Sequence, residues 1–249
     1  MAIKLLDVSG EKLLEHEQHA ETQDFVLIDH PVFFARNVAE MLPLMRDFRR
    51  LMTGGPLERT RTLLKALFSL RQPFRILRKA GAKRPHSPLD IQYWSTTPYL
   101  LGEAAIKFSL RPRLDRLPVR PNTSPDKLRL AMVEQLRDQE VTFDFLIQER
   151  TDAISMPIED PTVEWDELRS PFRKVATLKI PPQNFDTPTW ISFGENLSFT
   201  PWHALPEHRP LGGINRARKR LYTTMSAHRH EWNGTPDREP TLAEVRAML

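Results

Sequence analysis

The chain has 249 residues, 40% of them apolar and 27% charged, with a formal net charge of only +4. That composition supports a sizeable core in one large domain or two small ones and excludes a generic polycation. There is no cysteine, which excludes disulfides, thiolate nucleophiles and cysteine metal sites.

No apolar run approaches the roughly 20 residues of a membrane span. The start, MAIKLLDVSGEK, lacks a signal-peptide layout, because its apolar stretch is short and acidic residues follow at once. The expectation is a cytoplasmic protein. Prolines (22) outnumber glycines (9), which favours strands and loops over a helical bundle.

In chain order, AIKLLDV and DFVLIDHPVFFAR (24–36) read as strands. VAEMLPLMRDFRRLM has helical spacing, with Val38, Met41, Leu42, Met45 and Phe48 on its apolar side. Gly54, Gly55 and Pro56 break it, LERTRTLLKALFSL resumes it, and FRILRKAG adds a further turn or two up to Gly81. Residues 90–110 read as two strands around a turn at Pro98 to Gly102. PDKLRLAMVEQLRDQ is a helix with Ser124 as N-cap and Pro125 at its first position. EVTFDFLIQER alternates as a strand does, and another strand spans about 172–180. TWISFGENLSF reads as a short strand or irregular piece. A helix runs from about Asn215 towards His230, and TLAEVRAML is a terminal helix capped by Thr241. Strands and helices do not alternate as βαβ units, so the expected class is antiparallel α+β.

Residues 46–84 hold twelve Lys or Arg against Asp47 and Glu58, interleaved with Leu57, Leu63, Leu64, Leu67, Phe68 and Leu70. Such a basic amphipathic segment suits an anionic membrane surface or a solvated helix pair. No nucleic-acid motif accompanies it, so no nucleic-acid partner is expected. The histidine pairs His16/His19, His203/His208 and His228/His230 match no zinc spacing. GxSxG, P-loop and GxGxxG patterns are absent.

One pair carries a sharper chemistry. Arg218 and Tyr222 lie one helical turn apart and share a face. Ferric iron favours a phenolate, a phenol ordinarily ionises near pH 10, and an adjacent guanidinium favours the charged form. Tyrosinate is a known axial ligand of heme iron. The plain alternative is a solvated helix with a packed tyrosine.

The opening segment through PVFFAR (31–36) resembles the middle of heme catalases: two strands, then PVFF, an arginine and a helix. RLYTTMSAHRH resembles their heme-ligand segment, and QYWSTTPYLLGEAAIKFSL with ENLSFTPWHALPEHRPLGGINRAR resembles the smaller catalase-related branch, which includes allene oxide synthase-like proteins. The resemblance implies a single catalase-like domain over 1–249, with an antiparallel β-barrel core, flanking helices and a basic helical insertion at about 38–86. It implies Tyr222 as iron ligand, Arg218 as its phenolate-stabilising partner and Arg229 as a heme-propionate contact. Phe33 and Phe34 would line the distal pocket, and Asp29, near the position of a distal Asn, would be the catalytic base beside Arg218. An alternative register puts the ligand position at Thr224, a poor ligand for iron. The family's distal His lies upstream of the stretch that matches Met1, so the chain reads as N-terminally shortened.

The implied function is peroxide chemistry at a Tyr-ligated ferric heme (protoporphyrin IX), with hydrogen peroxide or an organic hydroperoxide as substrate. Two other readings stay open: a lipid hydroperoxide-metabolising heme enzyme, and an inactive catalase-like structural or interaction module. The partners named alongside are an anionic membrane surface through 46–84 and a homo-oligomer.

Overall fold

The computed structural model describes residues 1–69, 85–114 and 123–248. The expected turn at FRILRKAG lies outside them. Two antiparallel sheets organise the chain. A two-stranded ribbon pairs β1 (Ala2–Leu6) with β2 (Thr22–Val26), Ala2 opposite Val26 and Leu6 opposite Thr22. The main sheet holds β3 (Tyr93–Trp94), β4 (Tyr99–Leu101), β5 (Ala104–Pro112), β6 (Val141–Glu149) and β7 (Arg173–Ile180), in the order β3-β5-β6-β7, with β4 also on β5. The helices are α1 (Val38–Thr53), α2 (Pro56–Ser69), α3 (Lys127–Asp138), α4 (Pro188–Glu195), α5 (Gly212–Asn233) and α6 (Leu242–Arg246).

The class is α+β as the sequence reads, but among the described residues no barrel closes. The ribbon meets the main sheet through the single bridge Ile28–Trp94 rather than a continuous ladder. At the other end β7 is a largely exposed edge, paired to β6 alone. The core fills the inner face of the sheet. Ile106, Phe108 and Leu110 alternate on β5, and Val141, Phe143 and Ile147 on β6, all buried. Phe25 of the ribbon packs edge-on against Phe108 and Phe145, ring centroids 5.3 Å apart in each case, so ribbon and sheet share one core.

Four element boundaries differ from expectation, each for a local reason. The strand expected over 24–36 ends at Val26. Leu27 N–H donates to the Met1 carbonyl, where β1 begins, so the partner strand runs out, and Pro31 has no N–H to offer. Residues 90–110 carry three short strands, because Tyr99–Leu101 pairs back onto β5. Ser124 does not cap α3; its Oγ accepts from Asp126 N–H, and the helix starts at Lys127. TWISFGENLSF is helical over its first part. Thr187 caps α4 by accepting from Trp190 N–H at 3.3 Å, and Pro188 sits at the first position.

Helix α5 starts at Gly212, where φ is +85° and an added Cβ would sit 2.6 Å from the Ile158 carbonyl oxygen, so only glycine fits. Asn215, fully buried, then fastens the helix to the loops around it. Its amide donates to the carbonyls of Pro98 (3.1 Å) and Leu211 (2.8 Å), and its own carbonyl accepts from Trp202 Nε1 at 2.6 Å. Among the described residues no helix is long and apolar enough to cross a membrane.

Candidate functional site

The face of α5 that follows Asn215 carries Arg218 and Tyr222. Arg218 Nη2 donates to Tyr222 Oη at 3.1 Å, and the guanidinium lies 5.0 Å from the centre of the phenol ring. Nη1 of Arg218 reaches Asn215 Oδ1 at 3.3 Å, and Thr97 Oγ1 donates to the same oxygen at 3.1 Å. The guanidinium is therefore held from two sides before it meets the phenol. Burial works against its charge, but the phenol oxygens of Tyr99 and Tyr222 outweigh that and raise the Arg218 pKa above its ordinary value. Burial pushes the Tyr99 phenol up, opposed by Arg218 and Thr97.

Arg218 and Tyr222 form one wall of a slot of about 440 Å³. Phe33 and Phe34, stacked with ring centroids 4.4 Å apart, line it too. Val26 and Ile28 line it from the end of the ribbon, Ile214 from α5, and Met41, Leu42 and Met45 from α1. Ser95 and Thr96 complete it. Thr96 has φ of +60°, rare for a β-branched residue, held by a tight turn in which Thr97 N–H and Oγ1 both meet the Ser95 carbonyl. Backbone held in such a region costs of order 1–3 kcal/mol and concentrates at functional sites.

Tyr222 also lines a second hollow of about 800 Å³, with Leu221, Met225, Arg229 and Trp232. Arg229 donates to the Leu197 carbonyl at 2.5 Å and to Ser198 Oγ at 3.2 Å, while its Nε is buried without a partner. The tyrosine thus stands between two hollows, one backed by paired phenylalanines and one by an arginine with an unspent donor. A phenol oxygen gripped by a guanidinium, apolar walls and a buried orphan N–H form a donor set that fits a planar apolar group carrying a ferric ion and carboxylates.

Five of the six residues singled out in the sequence meet here: Phe33, Phe34, Arg218, Tyr222 and Arg229. Asp29 does not. Its neighbour Ile28 lines the slot, whereas the charge of Asp29 acts on the Met1 amino group and the Tyr93 phenol. Among the described residues lining the slot there is no carboxylate and no imidazole. Thr97 was invisible to sequence reasoning, because its link to Arg218 spans 121 positions, and Asn215, three residues before Arg218, carried no signal of its bond to Thr97. A separate cluster, Glu17, His203 and Glu239, brings three potential ligand atoms within 4.8 Å. Lys4 Nζ sits 2.5 Å from Glu239 and Thr22 Oγ1 2.7 Å from it, so a cation and a hydroxyl already serve that cluster.

No family model and no curated protein matches the chain. Solved structures do. A fungal catalase superposes with a TM-score of 0.68 at 18% identity, over 92% of this chain and 47% of that one. Catalase A from Saccharomyces cerevisiae gives 0.57 at 17%, over 84% and 46%. A bacterial catalase gives 0.61 at 16%, over 84% and 44%. The chain spans about half the length of these catalases and has a catalase-like fold.

Proposed function

We propose that the slot receives a ferric heme with Tyr222 as the iron ligand, and that the protein acts on peroxides there. The observation that carries this reading is the Arg218–Tyr222 pair, 3.1 Å apart, in the wall of a slot that Phe33 and Phe34 also line. The likeness to catalases supports it at the level of fold. A tyrosinate-ligated heme supplies peroxide redox chemistry.

The chain's own groups divide the remaining work. Arg218 aims its Nη2–H at the Tyr222 oxygen, the position where it would meet an iron-bound phenolate. Thr97 and Asn215 keep the guanidinium aimed. Phe33 and Phe34 exclude water from the slot. Arg229, which lines the second hollow, would face a carboxylate placed there. Rearranging a peroxide proton calls for a positioned base. The described residues lining the slot include no carboxylate or imidazole for that role, and Asp29 is not among them.

The test is a hemin titration of wild type and Tyr222→Phe followed by absorption. The expected result is a saturable Soret band of tyrosinate type that the variant loses. No saturable binding, or an identical spectrum in the variant, refutes the reading and leaves a catalase-like module without the chemistry. A second reading, turnover of a lipid hydroperoxide, is favoured by the apolar residues Met41, Leu42 and Met45 on α1 in the slot. Faster consumption of a fatty-acid hydroperoxide than of hydrogen peroxide would select it.

A further inference from the structure

Helix α1 carries two faces suited to burial, and only one is buried. Leu44 and Asp47 are turned into the protein. Met45, Phe48 and Met52 follow one another at steps of three and four, the spacing of one helix face. They are nonetheless 44%, 55% and 64% exposed. Single exposed apolar side chains need no explanation, but a stripe of them along a helix does.

The stripe is continuous with other exposed apolar surface. Leu42, 50% exposed, and Met45 both line the slot that contains Tyr222. Leu221 of α5 lines the same slot and the second hollow, and it is exposed, as is Met225 one turn on. The polar residues beside the stripe are arginines. Arg46 and Arg49 on α1 and Arg59 and Arg61 on α2 are exposed, as is Glu58 on α2, whereas Asp47, the only acid within the second half of α1, is buried and pairs with Arg50 at 3.5 Å.

Apolar side chains flanked by guanidinium groups select among occupants. A second copy docking the same face would set arginines against arginines, and like charges at close range oppose association. An anionic lipid surface accepts both features: the apolar side chains enter the acyl boundary and the guanidinium groups meet phosphates in their preferred fork geometry. We propose that α1 docks this protein on an anionic lipid surface, with Met45, Phe48 and Met52 in the acyl boundary and Arg46 and Arg49 at the headgroups. The docked orientation turns Leu42 and Met45, and with them the slot, towards the lipid. The proposal rests on the stripe and its arginines and stands whether or not Tyr222 holds a heme.

The test is flotation of the full chain with vesicles of phosphatidylcholine alone, or of phosphatidylcholine and phosphatidylglycerol in equal parts. Wild type floats with the anionic vesicles and is released by high salt. Each arginine near such a surface changes partition about fivefold, so Arg46→Gln/Arg49→Gln weakens it about 25-fold. Phe48→Ser/Met52→Ser weakens it by about tenfold or more. All four side chains are exposed, so both variants melt as wild type does. Three results overturn the proposal: wild type stays with neither vesicle, it binds both vesicles equally, or the variants float as wild type does. A concentration-dependent dimer that Phe48→Ser/Met52→Ser dissolves would assign the stripe to a second copy and overturn it as well.

Discussion

Replacing Arg218 by methionine keeps an unbranched side chain, shorter by two atoms, and removes the charge that faces Tyr222. The size of the effect follows from the geometry. Two unit charges 3.1 Å apart interact by about 5 kcal/mol at an effective dielectric of about 20. Desolvation offsets much of that, and hydrogen bonds to charged groups contribute about 1.5–3 kcal/mol net. Hemin affinity should therefore fall roughly ten- to a hundredfold in Arg218→Met, read from the midpoint of a Soret titration at neutral pH. Arg218→Lys keeps the charge and loses the planar fork, so it should fall between the two. The fold should tolerate both changes, because Thr97 Oγ1 and Asn215 Oδ1 remain bonded to each other at 3.1 Å without the arginine. A melting curve separates loss of fold from loss of ligand. If folded Arg218→Met binds hemin as wild type does, the guanidinium is not stabilising an iron-bound phenolate, and the reasoning from the pair fails.

Three further predictions concern stability. Burial lowers the Lys107 pKa from 10.5 to about 8, against the pull of Glu164 and Asp160, so the fold penalises its charged form. The penalty, about 3 kcal/mol, is full below pH 8 and fades as pH climbs towards 10.5. Lys107→Met should stabilise the protein by about 2 kcal/mol at pH 7 after the lost bond to the Val163 carbonyl is discounted, and the gap should close in urea melts at pH 10. Burial also raises Asp24 from 3.8 to about 6 despite Lys4, so its protonated form is favoured by folding, and that stability is lost as pH rises through 6. Relative to Asp24→Asn, wild type should lose about 2 kcal/mol between pH 4 and pH 7; a flat difference would refute the assignment. Thr96→Gly should gain about 1 kcal/mol in a thermal melt, relief of the left-handed backbone exceeding the added freedom of the unfolded chain.

Local patterns carried part of this structure and non-local pairing carried the rest. Strand β6 alternates in sequence, β7 lies where a strand was expected at about 172–180, and one turn of α5 sets Arg218 over Tyr222, so these were legible. Helix α4 was signalled by Thr187-Pro188, a cap and a first-turn proline, but its short apolar run looked equally like a strand. The end of β2 depends on where β1 begins, and barrel closure depends on how strands distant in sequence meet. Neither leaves a trace in a window of ten residues. The same holds for the grip on Arg218. Thr97 and Asn215 are 118 positions apart, and only the fold brings them to one guanidinium.

The slot separates two requirements that peroxide chemistry joins. On the proposed reading Tyr222 and Arg218 would meet the need for an anionic iron ligand, yet the described residues lining the slot include no carboxylate or imidazole to move a proton. Hemin binding and peroxide turnover should therefore be dissociable, with tight binding accompanied by slow turnover. Ile28 offers the place to join them. It lines the slot and is held by reciprocal backbone bonds with Trp94 of 2.9 and 2.7 Å, so its side-chain direction is fixed by the bridge. Ile28→His places an imidazole in the slot without touching Arg218 or Tyr222. A positioned general base contributes about 10²–10⁴-fold, so hydrogen peroxide consumption per bound heme should rise by at least about a hundredfold while the hemin titration is unchanged. An unaltered rate at equal heme occupancy would mean that proton transfer does not limit the reaction, and that the slow step lies in access to the slot through Leu42 and Met45.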